Sequence, residues 1–166
     1  MDAKELVKHF KLEKHPEGGY FKEVYRSDGI ITSANLTHDF VGDRNYATSI
    51  YFLLTSDSFS AFHKINQDEI WHFYTGSTLK IHLISPDGTY SFVLVGNDFK
   101  KGEVPQFTVP AHYYFAAEVL AENSFAFVGC SVSPGFDFRD FTLPSFETLA
   151  AEFPNHKEII KRLTHH

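Results

Sequence analysis

The sequence predicts an all-β fold, a barrel or two-sheet sandwich, on three observations. From Thr48 onward, short runs with strand-like patterning follow one another at residues 49–54, 58–65, 69–74, 78–84, 90–95, 106–109, 113–117 and 125–132. Turn-forming residues separate them, among them Asn66-Gln67-Asp68, Pro86-Asp87-Gly88, Gly96-Asn97 and Pro110. The chain also carries eighteen Phe, eight Tyr and one Trp, and aromatic side chains suit a pleated, half-buried surface. Strands of this length at this spacing are the pattern of sandwiches and barrels.

The flanking segments read differently. Asp2 followed by Glu5 has the form of a capping box, and Leu6, Val7 and Phe10 recur at helical spacing, so a short amphipathic helix is predicted over 3–11. His15-Pro16-Glu17-Gly18-Gly19 predicts a turn, because Pro and paired Gly punctuate a chain. Residues 20–25 alternate as a first strand, and residues 27–43 have weak periodicity and predict a long loop. Pro134-Gly135-Phe136-Asp137 ends the last strand in a turn. Beyond it, Leu149, Phe153, Ile159, Ile160 and Leu163 sit at helix-like intervals broken by Pro154, which predicts two short helices packed on the barrel. One domain is expected over 1–166, with a barrel core at about 20–141 and a helical tail at about 145–163. The terminal His165-His166 pair is given no functional weight.

At 166 residues the chain is long enough to bury roughly 70% of its unfolded surface. Hydrophobic and charged fractions of 43% and 22% are those of an ordinary soluble globular protein. A net charge of −6 without a Lys/Arg run argues against a nucleic-acid partner, which needs clustered cations. One cysteine, Cys130, excludes an internal disulfide framework and reads as a small buried hydrophobe. The N-terminal segment is charged and lacks a signal-peptide core, and no stretch approaches about 18 apolar residues. No membrane association is therefore expected, and the cytoplasm is the expected location.

The chemistry concentrates between Phe62 and Gly76. Read as two strands joined by a polar turn, period-2 alternation puts Ala61, His63 and Ile65 on one face; on the next strand Glu69, Trp71 and Phe73 share a face, with Ile70, His72 and Tyr74 opposite. If both first-named faces point inward, an imidazole and a carboxylate meet beside Trp71 in an apolar interior. Burial would raise the Glu69 pKa and a protonated His63 would lower it, and the sequence leaves open which wins. His72 is expected to face away from Glu69, His112 to sit in a loop at the mouth, and His82 to lie on the outer face. Arg26, Arg44 and Lys64 are candidates to meet an anionic substrate group, Gln106 joins the candidate ligand-binding residues, and Asp137 or Asp140 near the mouth is a further candidate to hold a polar ligand.

His63, Glu69 six residues on and Gly76 seven beyond it resemble the first cupin motif, His-x-His-x(3–4)-Glu-x(6)-Gly. Pro110-Ala111-His112-Tyr113-Tyr114-Phe115 resembles a degraded second motif, Pro-x-Gly-x-x-His. With His15-Pro16-Glu17-Gly18-Gly19-Tyr20, Asp68-Glu69-Ile70-Trp71-His72 and Ser133-Pro134-Gly135-Phe136-Asp137-Phe138, the chain resembles the cupin-5 family from about residue 8 to residue 163. The resemblance implies a cupin jelly roll, a double-stranded β-helix barrel, commonly a homodimer, with Glu17 and Tyr20 lining the pocket.

The departures from the motif bear on cofactors. Metal-binding cupins usually supply His, His, Glu and a final His. Here one of the first two positions falls on Ile65 or Ala61, and the last on Phe115. His63 and Glu69 alone are too few for a divalent ion such as Zn²⁺ unless His112 or His72 swings in, so no cofactor is expected and a metal at His63 and Glu69 stands as the alternative. A metal-free cupin with one interior His resembles the deoxysugar 3,5-epimerases, which by analogy makes His63 a base and Tyr51, on a neighbouring strand, an acid. Three functions follow as expectations: a small polar ligand held in the pocket, a metal-independent sugar epimerase or isomerase, and a metal-dependent enzyme.

Overall fold

A computed structural model describes residues 1–165; His166, half of the terminal pair, lies outside the described residues. Helix α1 (Ala3–Phe10) opens the chain, one residue shorter than predicted because Lys11 turns into the left-handed region. The predicted capping box is present in both directions, with Asp2 Oδ1 accepting from the Glu5 N–H at 2.8 Å and the Glu5 carboxylate accepting from the Asp2 N–H at 2.7 Å. The strands are β1 (Glu13–Lys14), β2 (Tyr20–Arg26), β3 (Ile30–Ile31), β4 (Arg44–Asn45), β5 (Thr48–Thr55), β6 (Phe59–His63), β7 (Glu69–Gly76), β8 (Leu79–Ile84), β9 (Tyr90–Val95), β10 (Gln106–Val109), β11 (Tyr114–Val119) and β12 (Phe125–Val132). Helices α2 (Phe146–Glu152) and α3 (Lys157–Arg162) follow, separated by a 3-10 turn that begins at Pro154. The stretch expected to be one long loop contains β3, which pairs with β4, and a 3-10 turn at Ser33–Asn35.

The strands form a six-stranded sheet in the order β1-β2-β5-β12-β7-β10 and a four-stranded sheet in the order β6-β11-β8-β9. The predicted barrel is therefore two facing sheets in the jelly-roll manner, and the ladders run within each sheet. Pleating explains the layers. Phe52, Leu54, Trp71, Val128 and Cys130 point inward from the large sheet and meet Leu79, Ile81, Leu83, Phe115 and Ala117 of the small one. Large buried side chains such as Trp71, Phe52 and Phe115 each contribute roughly 1.5–3 kcal/mol.

The alternate residues face outward, and helices cover part of each outer face. Leu53 and Phe127 pack against α1 through Leu6, while Phe62, Ile84 and Ala116 pack against Leu149 and Ile160 of the two C-terminal helices. His82 is on the outer side of its sheet, as alternation predicts, yet it is buried, hydrogen-bonded to Tyr90 and to Glu118 of an adjacent strand. No helix among the described residues is long and apolar enough to cross a membrane.

Candidate functional site

One end of the interior opens into a cavity of about 480 Å³. Strand β6 delivers His63 to it, β7 delivers Glu69, β12 delivers Cys130 and Val132, and β5 delivers Thr48, Ile50 and Phe52. Phe21, Glu23 and Arg26 line it from β2, and Phe136, Asp137, Phe138 and Phe141 from the segment after β12. The turn ahead of β2 contributes His15 and Glu17.

That turn reaches the cavity because of its glycines. Gly18 and Gly19 have φ of 111° and 76°, and a Cβ on Gly18 would collide with the Phe59 carbonyl. Only glycine takes this path without strain. The close approach lets the Glu17 carbonyl accept from the Ala61 N–H at 2.7 Å, and His165 Nε2 bonds the same oxygen at 2.7 Å. The Glu17 side chain is thereby set against β6.

His63 is fully engaged. Its Nδ1 lies 2.7 Å from the Ala61 carbonyl, which can only accept, and its Nε2 lies 2.7 Å from Glu17 Oε2. Burial pulls the His63 pKa down, but the charge and hydrogen bond of Glu17, with Glu69 behind it, win, and the pKa is raised. Burial likewise pushes Glu17 up, but His63 and His15 outweigh it and hold the carboxyl below its usual range. The pair is an imidazolium and a carboxylate. Burial, against the pull of Glu17, keeps the His15 pKa below its usual value; its Nδ1 accepts from the Glu17 N–H at 3.2 Å.

Glu69 behaves differently. Burial, reinforced by the negative charge of Glu17, pushes its carboxyl up to about 7, with His63 offsetting only part of this. The question left open by the sequence is answered in favour of burial, because His63 gives its charge first to Glu17. Beside Glu69 the Cys130 thiol is pushed well up by burial and by the two carboxylates, so it stays protonated.

The structure thus brings His63, Glu69, Glu17, Arg26 and Asp137 to one cavity, and it separates the other expected residues from it. Tyr51 is on the outward face of β5, in a cluster with Phe10 and Phe127 at ring distances of 5.1 and 5.5 Å, because its neighbours Ile50 and Phe52 take the inward positions. Arg44 is sealed in a bidentate pair with Asp140 at 2.7 and 2.8 Å, so neither is available to a ligand. Lys64 Nζ lies 4.5 Å from the Tyr114 ring centre. Trp71 is in the core between Phe52 and Phe115 and does not line the cavity. Tyr20 packs with the residues under α1, Gln106 is exposed on an edge strand, and His72 faces away from Glu69 towards Ser131, at 3.3 Å. His112 is in a left-handed turn, φ 68°, with Nε2 3.5 Å from Asp39.

Sequence reasoning missed His15 and the aromatic wall. Phe136, Phe138 and Phe141 recur after the last strand at a spacing that leaves all three on one side of a 3-10 turn (Phe138–Asp140). Cys130, read as a small buried hydrophobe, is buried and also lines the cavity.

The cupin fold often implies a metal. The residues present do not fit one: both His63 nitrogens are bonded to protein oxygens, and among the described residues no group of three or more His, Cys, Asp or Glu side chains is arranged to hold an ion.

The model of the Cupin_5 family, described as Cupin superfamily (DUF985), matches residues 4–144. The uncharacterized protein YML079W of Saccharomyces cerevisiae is 37% identical over 147 residues, which are 83% of this chain and 73% of that protein. The solved structure of protein SO0799 from Shewanella oneidensis is similar at a TM-score of 0.90 and 38% identity, covering 99% of this chain and 98% of the other. A hypothetical protein from Leishmania major matches at a TM-score of 0.91 and 34% identity over the full length of both chains.

Proposed function

The chain belongs to the Cupin_5 family of the cupin superfamily, and from that premise we propose that its cavity binds a small carbonyl compound and that Glu69 exchanges a proton with it, as an isomerase or epimerase does. The observation that carries this reading is the Glu69 carboxyl, buried, facing the cavity and pushed up to about 7. A group that titrates near the working pH is both a competent base and a competent acid.

The step is a proton transfer at carbon. Glu69 as carboxylate takes a proton from the carbon next to the carbonyl, and the C–H electron pair moves into the enolate. Glu69 then returns the proton either to the same carbon, which is exchange, or to the former carbonyl carbon, in which case the α-hydroxyl gives its proton to the former carbonyl oxygen and becomes the new carbonyl. The fixed imidazolium of His63 stabilises the negative charge that develops. The base role passes from His63 to Glu69, because both nitrogens of His63 are committed as donors. A carrier without turnover is the second reading, favoured by the same full engagement of His63.

Solvent exchange tests the proposal. The protein is incubated in D₂O with a panel of small cyclic and open-chain ketones and aldoses, and deuterium at the α-carbon is followed by NMR. Catalysed exchange lost in Glu69→Gln, with binding retained, supports proton transfer. Binding without exchange leaves the carrier reading, and neither binding nor exchange across the panel removes both.

A further inference from the structure

The cations that line the cavity are already taken. Arg26, at the mouth, sends Nε and Nη2 to Glu23, with a shortest distance of 2.6 Å, Nη1 to Asn45 Oδ1 at 2.8 Å and Nη2 also to the Phe136 carbonyl at 3.0 Å. His63 is held by Glu17 and the Ala61 carbonyl. No further Lys or Arg lines the space among the described residues, whereas Glu17, Glu23, Glu69 and Asp137 all do. An entering phosphate or carboxylate would meet carboxylates and find no cation with a free donor pair. Without such a partner, a buried anion bears its full desolvation cost.

The wall argues for the shape of the ligand. Phe136 and Phe138 meet edge-on at 5.0 Å and Phe138 and Phe141 at 5.7 Å, and the His15 ring lies between Phe21 and Phe138. Ring edges and faces set at right angles form a slot that suits a flat or cyclic apolar body.

We propose that the cavity selects ring-bearing molecules that carry no negative charge and excludes anions, and that Glu23 enforces the exclusion by occupying Arg26. This rests on the reading that the cavity binds a small carbonyl compound, and it names the class. Glu23 acts on ligand charge through Arg26 and is a specificity-determining residue, separate from the proton-transfer step.

Matched probes of one shape test it: cyclohexanone and benzyl alcohol against cyclohexanecarboxylate, benzoate and phenyl phosphate. Dissociation constants come from titration calorimetry, and NMR shifts at His63 and Cys130 locate binding in the cavity. The neutral probes are expected to bind and the anions not to. In Glu23→Gln the anions are expected to gain about tenfold in affinity relative to the neutral probes, the worth of one charge-assisted hydrogen bond. Anionic probes binding the unmodified protein as tightly as the neutral ones, no binding of the neutral probes, or no gain of anions in Glu23→Gln overturns the proposal. Neutral probes that bind without deuterium exchange leave it standing and remove only the proton-transfer step.

Discussion

Glu17 Oε2 lies 2.7 Å from His63 Nε2, joining a turn near the N-terminus to the end of β6. Both side chains are at least nine-tenths buried, so each charge depends on the other. His63→Ala strands a buried carboxylate and Glu17→Gln strands an imidazolium. Each is expected to cost about 3–5 kcal/mol of stability. The double variant is expected to cost clearly less than the sum, measured by urea unfolding near neutral pH.

Glu69 makes stability depend on pH in a stated direction. Its folded pKa of about 7 stands above the ordinary 4.5, so the stabilising contribution of its protonated form is full below the ordinary value and is lost as pH rises through the folded one. Between those limits the unmodified protein is expected to lose roughly 3 kcal/mol relative to Glu69→Gln. His63, whose pKa is also raised, acts in the same direction as pH passes its folded value. Melting curves of the two proteins across this range check the prediction: they should diverge with rising pH, the Gln variant ending higher.

Asp140 is a structural residue of the mouth. It accepts two bonds from Arg44 and one from Gln67 at 2.8 Å, tying the β4 region to the segment after β12. Asp140→Asn is expected to destabilise the protein by about 3 kcal/mol, read as a lower urea midpoint.

Tyr51 and His112 are outside the cavity, so Tyr51→Phe and His112→Ala are expected to leave exchange rates and ligand affinity unchanged. Loss of exchange in Tyr51→Phe would show that the proton travels by another route.

The strands were legible because aromatic and β-branched residues alternate between turn residues; 90–95, 106–109 and 125–132 coincide with observed strands. The same period of two set the phase of His63 and of Glu69 on their strands, and the structure turns both faces to the cavity. The Glu17–His63 bond was not legible, since it depends on how far a Gly-Gly turn folds back onto β6. Tyr51 shows the limit of phase reasoning. Alternation set it with Ser49 and Leu53 correctly, but it does not say which face looks inward; the aromatic cover of α1 decides that. The engagement of Arg26 and Arg44 depends on carboxylates brought near by folding, which composition cannot reveal.

The ionisation of Glu69 is the most direct test. Infrared difference spectra of the unmodified protein against Glu69→Gln, recorded as pH is raised, isolate this one carboxyl. A protonated-carboxyl band that persists in mild acid and disappears with a midpoint of about 7 is the predicted result. A carboxylate already formed near the ordinary value of 4.5 would contradict the account.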